Sequence, residues 1–283
     1  MTPQATPLGK TFAARVSGID LRQVPDAATH AWIEDTLARF GVLSFGPQRI
    51  DDTHQERLIQ LFGPPFEANF KEIATGHRHF YDITTVDEDG ATIATDSPRG
   101  LTLLANAQWH TDGSQLQPPT RVSVLHARVL PPVPPPTEYA DMRAAWEALP
   151  AYKQAEVEKL SVVHSIAWSR EQIGFTDINP ESLKLRPPVV HPLVRTNPVT
   201  GRKSLYLASH ASHPVGWPVA EGRAYIHELV AHATQLQFVY SHAWSPDELV
   251  MWDDRWTMHR ATPYDAPHPR ILRWCGAVEL EPV

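Results

Sequence analysis

His110 and Asp112 stand one residue apart in Gln108-Trp109-His110-Thr111-Asp112-Gly113. On an extended backbone, residues i and i+2 project to the same side, so an imidazole nitrogen and a carboxylate oxygen can meet one ion there. Alone, such a pair is half a metal site, and it is common by chance in surface loops. The C-terminal segment Met258-His259-Arg260 gives it weight, because a Pro-bounded loop then leads to Arg270. Two neighbouring antiparallel strands, one ending at His259 and the next beginning at Arg270, would bring both residues into one cavity.

Two histidines and one carboxylate on one face of an octahedron hold Fe(II) and leave three positions open, which is what an oxygenase needs. A 2-oxo acid can chelate through its keto oxygen and C1 carboxylate, leaving one position for O2. Its distal carboxylate then needs a planar, permanently charged fork, which Arg270 supplies.

Other constellations fail on spacing. His227 and His232 flank a Glu on a helical stretch, but a zinc-protease helix needs the second His at i+4, where this chain has Ala231. Gly201-Arg202-Lys203-Ser204 lacks the upstream glycine of a phosphate loop, and no G-x-S-x-G elbow is present. His77-Arg78-His79 and His210-Ala211-Ser212-His213 lack a carboxylate at one-residue spacing. With 15 histidines, such neighbours arise by chance, and they are read as pocket lining.

The elements that position the chemistry follow from periodicity. A helix opens at Asp26 and runs through Trp32, Ile33, Leu37 and Phe40 to Gly41, and Thr53-His54-Gln55-Glu56 has capping-box spacing for a second helix over 53–62. Residues 64–100 read as irregular and as an active-site lid or substrate-binding segment. Strands are expected at 41–45, 121–129, 237–242, 248–252 and 270–280, with short helices over 141–160 and a longer one over 221–234. Many short strands with a few helices point to a closed or sandwiched β core, and 283 residues are read as one domain.

The net charge of −7 leaves no basic excess for a phosphate backbone, so nucleic acid is excluded as a partner. No apolar run is long enough to span a bilayer, and Cys275 is the single cysteine, read as a small packed residue. A cytoplasmic protein acting on a small molecule is expected.

Taken with Trp109-His110-Thr111-Asp112-Gly113-Ser114 and Met251-Trp252-Asp253, the set His110, Asp112, His259 and Arg270 resembles the taurine/2,4-dichlorophenoxyacetate dioxygenase family. These enzymes depend on Fe(II) and 2-oxoglutarate. Glu138 to Trp146, the run His191 to Tyr206, and Gly216-Trp217-Pro218 extend the resemblance over most of residues 8–280. It implies a double-stranded β-helix, or jelly roll, mainly β with flanking helices. It implies Fe(II) on His110, Asp112 and His259, the 2-oxoglutarate distal carboxylate on Arg270 and Thr137, and aromatic Trp244 and Trp252 close by. The implied reaction consumes O2, releases succinate and CO2, and hydroxylates an unactivated C–H bond of a small organic molecule such as a carboxylic or aromatic acid derivative. Desaturation or cyclisation by the same cofactors is the alternative outcome, and a non-catalytic metal-containing jelly roll is the alternative of another class. A carboxylate at Asp112, where related halogenases have a small residue, favours hydroxylation. Relatives also imply a dimer or tetramer.

Two departures bear on the site. Relatives carry Gly-Gly-acidic before the threonine, whereas Pro134-Pro135-Pro136 precedes Thr137, so the loop must take another path. Relatives that act on sulfonates or aryloxy acids have a second arginine four residues after the first, where this chain has Trp274. Residues 270, 272 and 274 share one strand face, which turns Arg273 away from the cavity. The substrate is therefore expected to be bulkier or less anionic beside Trp274, or to have its acid group held elsewhere, for instance by Lys71. Asn106 matches a polar substrate-contacting position of the taurine enzyme.

Overall fold

The computed structural model describes residues 2–10, 12–67, 78–94, 96–176, 178, 180–264 and 268–280. In chain order the elements are β1 (Gln4–Pro7), β2 (Ala14–Ser17), α1 (Ala27–Phe40), β3 (Val42–Pro47), α2 (Asp52–Gln60), β4 (Tyr81–Thr84), α3 (Pro98–Asn106), β5 (Thr120–Val129), β6 (Thr137–Asp141), α4 (Met142–Glu147), α5 (Ala151–Val157), β7 (Ser161–His164), α6 (Ile166–Glu171), α7 (Pro180–Lys184), β8 (Val189–Pro192), β9 (Val194–Thr196), β10 (Lys203–Leu205), β11 (Ala211–Pro214), α8 (Val219–Ala233), β12 (Val239–His242), β13 (Glu248–Asp253), β14 (Thr257–Ala261) and β15 (Ile271–Val278).

Two sheets matter for the site. The larger has the order β1-β2-β3-β13-β5-β15-β4, and a three-stranded sheet has the order β12-β6-β14. Smaller sheets, β11-β7-β8 and β10-β9, lie outside them in the strand order. The fold is a double-stranded β-helix, mainly β with flanking helices.

Strand alternation explains why the large sheet is apolar on both faces. Val122, Val124, Leu249, Met251, Cys275 and Ala277 cluster with Ile33 and Leu37 of α1 and Leu58 and Ile59 of α2. Their alternates, Leu125, Ala127, Val250, Trp252, Leu272 and Trp274, cluster with Tyr139 of the smaller sheet and Trp244. Each fully buried Leu or Ile on the helix side stabilises the fold by about 1.5–3 kcal/mol. On the smaller sheet the same alternation sends Ala140 and Met258 outward, into a cluster with Ile226 and Leu229 of α8.

The helix ends have local causes. Asp26 accepts a hydrogen bond from the Thr29 backbone N–H at 2.8 Å, and α1 stops at Gly41, which has φ 73°. The second helix begins earlier than its Thr53-x-x-Glu56 spacing suggests, because Asp51 is the cap and closes a box with His54. The segment 64–100, expected to be irregular, contains β4 and the start of α3, which Ser97 caps at Gly100.

Candidate active site

Backbone pairing brings the two candidate histidines together. His110 and His259 form an isolated antiparallel bridge, with N–H···O distances of 2.9 and 2.8 Å. On β6, Tyr139 is the cross-strand partner of both His259 and Tyr240, so four residues line up in register across the smaller sheet and the bridge. The ring centroids of His110 and His259 are 4.1 Å apart.

Asp112 completes the group. Its Oδ1 lies 3.7 Å from His110 Nε2, and its Oδ2 lies 3.8 Å from His259 Nε2. One nitrogen or oxygen from each residue falls within 4.8 Å of the others, and among the described residues no other His, Cys, Asp or Glu group does this. The turn that follows depends on Gly113, at φ +64°. A Cβ there would sit 2.2 Å from Thr120 Oγ1 and 2.7 Å from its backbone nitrogen.

Protonation suits metal binding. His110 Nδ1 donates to the Gln108 carbonyl oxygen at 2.7 Å, which turns Nε2 toward Asp112. Burial, with His110 beside it, holds His259 well below the usual imidazole range and therefore neutral. Burial raises the Asp112 carboxyl, against the opposing effects of His110, Ser123 and Trp274, and a bound cation would reverse that shift.

A second buried carboxyl lies behind the first. Ser123 Oγ is 2.9 Å from Asp112 Oδ2 and 2.6 Å from Asp254 Oδ2, yet the hydroxyl has only one proton to donate. Both contacts are satisfied when Asp254 is protonated and donates to Ser123, which in turn donates to Asp112. Burial, and then the charge of Asp112, push Asp254 well above the usual carboxylate range, as this arrangement requires. Asp254 Oδ1 meanwhile accepts from the Asp112 backbone N–H at 3.1 Å and Trp252 Nε1 at 3.0 Å.

Arg270 reaches the same cavity by a different route from the one its spacing suggests. His259 and Arg270 do not lie on paired strands. His259 is on β14 in the smaller sheet, and Arg270 precedes β15 in the larger one, so they line one cavity from opposing sheets. Arg270 is 5 % exposed, makes no ion pair among the described residues, and has no hydrogen-bond partner for its Nε. Burial lowers its guanidinium to about 10. A buried cation without a counter-charge fits an incoming carboxylate. Two imidazole nitrogens and a carboxylate oxygen, all buried and converging, likewise fit a first-row divalent ion.

The cavity is lined by the triad, Arg270, Thr137 and Asn106, with Tyr81, Ile83, Leu125, Leu272 and Trp274 as its aromatic and apolar wall. Thr137 reaches it despite the preceding prolines, because Thr262 Oγ1 holds the Pro136 carbonyl at 2.7 Å at the start of β6. Trp244 stands behind Thr137 and donates its indole N–H to Thr137 Oγ1. Arg273 points away and pairs with Asp82 and Asp52. Lys71 lies outside the described residues.

Several residues of the site were not singled out from sequence. Tyr81 lies in the segment read as irregular, and Asp254 adjoins a stretch read only as a strand end. Arg99 lines a small adjoining cleft that shares Ile83 and Asn106 with the first. Ser123 carried a legible signal, being a hydroxyl on the inner face of an apolar strand.

The chain matches the family described as Taurine catabolism dioxygenase TauD, TfdA family over residues 4–275. It is 41% identical over 278 residues to the alpha-ketoglutarate-dependent 2,4-dichlorophenoxyacetate dioxygenase of Cupriavidus pinatubonensis, covering 96% of each chain. It is 32% identical to the (S)-phenoxypropionate/alpha-ketoglutarate-dioxygenase of Sphingobium herbicidovorans, covering 98% of this chain and 94% of that one. Among solved structures it resembles AAD-2 in complex with Mn(II) and N-oxalylglycine, with a TM-score of 0.92 and 39% identity over 100% of this chain and 98% of that one. The chain thus belongs to the TauD, TfdA family and is a dioxygenase dependent on Fe(II) and α-ketoglutarate.

Proposed function

We propose that this enzyme hydroxylates a C–H bond of a small aromatic acid or ether, with His110, Asp112 and His259 holding Fe(II) and with Arg270 and Thr137 holding the distal carboxylate of 2-oxoglutarate. When bound, the iron with 2-oxoglutarate and O2 supplies the oxidant for C–H cleavage and yields succinate and CO2. The observation that carries this reading is the aromatic and apolar wall of Tyr81, Leu125, Leu272 and Trp274 directly beside the converging side chains of His110, Asp112 and His259. Relatives named for phenoxy acids support an arene as the body of the substrate.

The residues divide the work. Asn106, at the C-terminal end of α3, offers the wall a polar contact for orienting the substrate. Trp274 takes the position from which relatives hold an acid group, so the substrate turns a neutral face to it. Its acid group is then held from elsewhere, by Lys71 or by Arg99, which makes no ion pair among the described residues.

A panel of aryloxy and arylalkanoic acids, each with its neutral amide, tests this by succinate release with Fe(II), 2-oxoglutarate and O2. We expect turnover with arenes and a preference for the acid that falls on Arg99→Ala or Lys71→Ala. Turnover of small aliphatic sulfonates but not of arenes would sink the proposal.

A further inference from the structure

The indole of Trp274 is held more tightly than filling space requires. Tyr81 stacks on it at a centroid distance of 4.3 Å and an interplanar angle of 21°, and Phe66 meets it edge-on at 5.5 Å. Gly276, two residues along the same face of β15, makes room for it: a Cβ there would lie 2.7 Å from Trp274 Cζ2 and 2.9 Å from Cη2. With its plane fixed in this way, Nε1 points at Asp112 Oδ2, 2.9 Å away. The same oxygen accepts from Ser123 Oγ at 2.9 Å. Among the described residues, Oδ1 accepts no hydrogen bond.

We infer that Trp274 is a positioning residue for the metal-binding carboxylate. Together with Ser123 it occupies Asp112 Oδ2 and leaves Oδ1 for the ion. The two donors come from adjacent strands, with Ser123 paired to Gly276 and Trp274 to Leu125 across β5 and β15, so the large sheet itself sets the rotation of the carboxylate. Groups that hold a ligating side chain in this way typically change metal affinity by about 10–100-fold when removed. The position that would otherwise meet the substrate is thereby committed to the metal.

This inference rests on the triad being the iron site, and Co(II) can probe both without turnover. Anaerobic Co(II) titration of the full chain, followed by ligand-field absorption, is run on wild type, Asp112→Ala, Ser123→Ala and Trp274→Phe. Phe keeps the aromatic packing and removes only the N–H. We expect Trp274→Phe and Ser123→Ala each to bind Co(II) about tenfold more weakly with an altered d–d spectrum, and Asp112→Ala to lose the site. Benzothienylalanine introduced at position 274 keeps the indole shape without the donor and gives the same result if Phe perturbs folding. Wild-type affinity and spectrum in both position-274 proteins would overturn the positioning role and leave the triad standing. A wild-type protein that takes up no Co(II) would overturn both.

Discussion

Trp244 Nε1 lies 3.0 Å from Thr137 Oγ1 and donates to it, which leaves the threonine proton free to point into the cavity. The indole therefore orients the hydroxyl assigned to the co-substrate without lining the cavity itself. Its N–H has no other acceptor to serve, so the rotamer of Thr137 is set before any ligand arrives.

Replacing Trp244 by Phe should raise KM for 2-oxoglutarate roughly 2–10-fold, the value of one net hydrogen bond. Metal affinity should stay unchanged. Initial rates at varied 2-oxoglutarate, alongside a Co(II) titration, check both.

Arg270 should be a burden to the protein that holds no co-substrate. An unpaired buried guanidinium costs more than an apolar side chain of similar volume, so Arg270→Met should raise the melting temperature of the ligand-free protein by about 2–4 °C. The same variant should lose the thermal shift that N-oxalylglycine gives the wild type. Differential scanning fluorimetry reads both, and a lower melting temperature without ligand would contradict the argument.

Gly113→Ala should cost about 1–3 kcal/mol in backbone strain, with a further cost from the clash with Thr120. Because the turn carries Asp112, Co(II) affinity should fall with stability. Chemical denaturation and metal titration on the same variant test this, and full metal affinity would show that the turn and the carboxylate move independently.

His164 bears on acid stability. It is fully buried, neither ring nitrogen has a protein partner among the described residues, and its ring packs against His191 at 5.1 Å and Tyr206 at 5.6 Å. Burial, with His191, His210 and Arg195 nearby, holds it well below the usual imidazole range, and burial lowers His191 to about 4. A histidine whose folded-state value is depressed contributes its stability fully above its unfolded value of about 6.5 and loses it as pH falls below that. His164→Phe should therefore narrow the stability gap between pH 7.5 and 5.5, by on the order of 1 kcal/mol. Urea unfolding at the two pH values measures it, and an unchanged gap would mean that His164 is hydrated in the folded state.

What could be read from sequence was what periodicity and donor chemistry carry. Ile33 and Leu37 announce a buried helix face, and His110, Asp112, His259 and Arg270 announce a metal site with an anion clasp. The pairing of strands was not readable at that level: His259 and Arg270 are close in sequence yet lie on opposite sheets, because β14 returns to β6 while β15 crosses to β5. Likewise Trp274 could be assigned to the inner strand face but not to Asp112, since a hydrogen bond between them depends on Gly276 and on Tyr81 from a segment without clear periodicity. Asp254 carries no sequence signal of its own, since a carboxylate beside an apolar strand is also what a surface turn offers, and only its burial behind Ser123 distinguishes the two.

The wall of the cavity has two origins. His259, Thr137 and Arg270 lie on or beside β14, β6 and β15, whereas Tyr81, Ile83 and Asn106 come from β4, the edge strand of the large sheet, and from α3. Arg273 pins that edge from outside through Asp82, so the appended piece has its own fastening. Substrate wall and metal site are in this sense mechanically joined: Tyr81 of that edge stacks on the indole that donates to Asp112, so a change made at the edge to suit another substrate should also alter how the carboxylate is held.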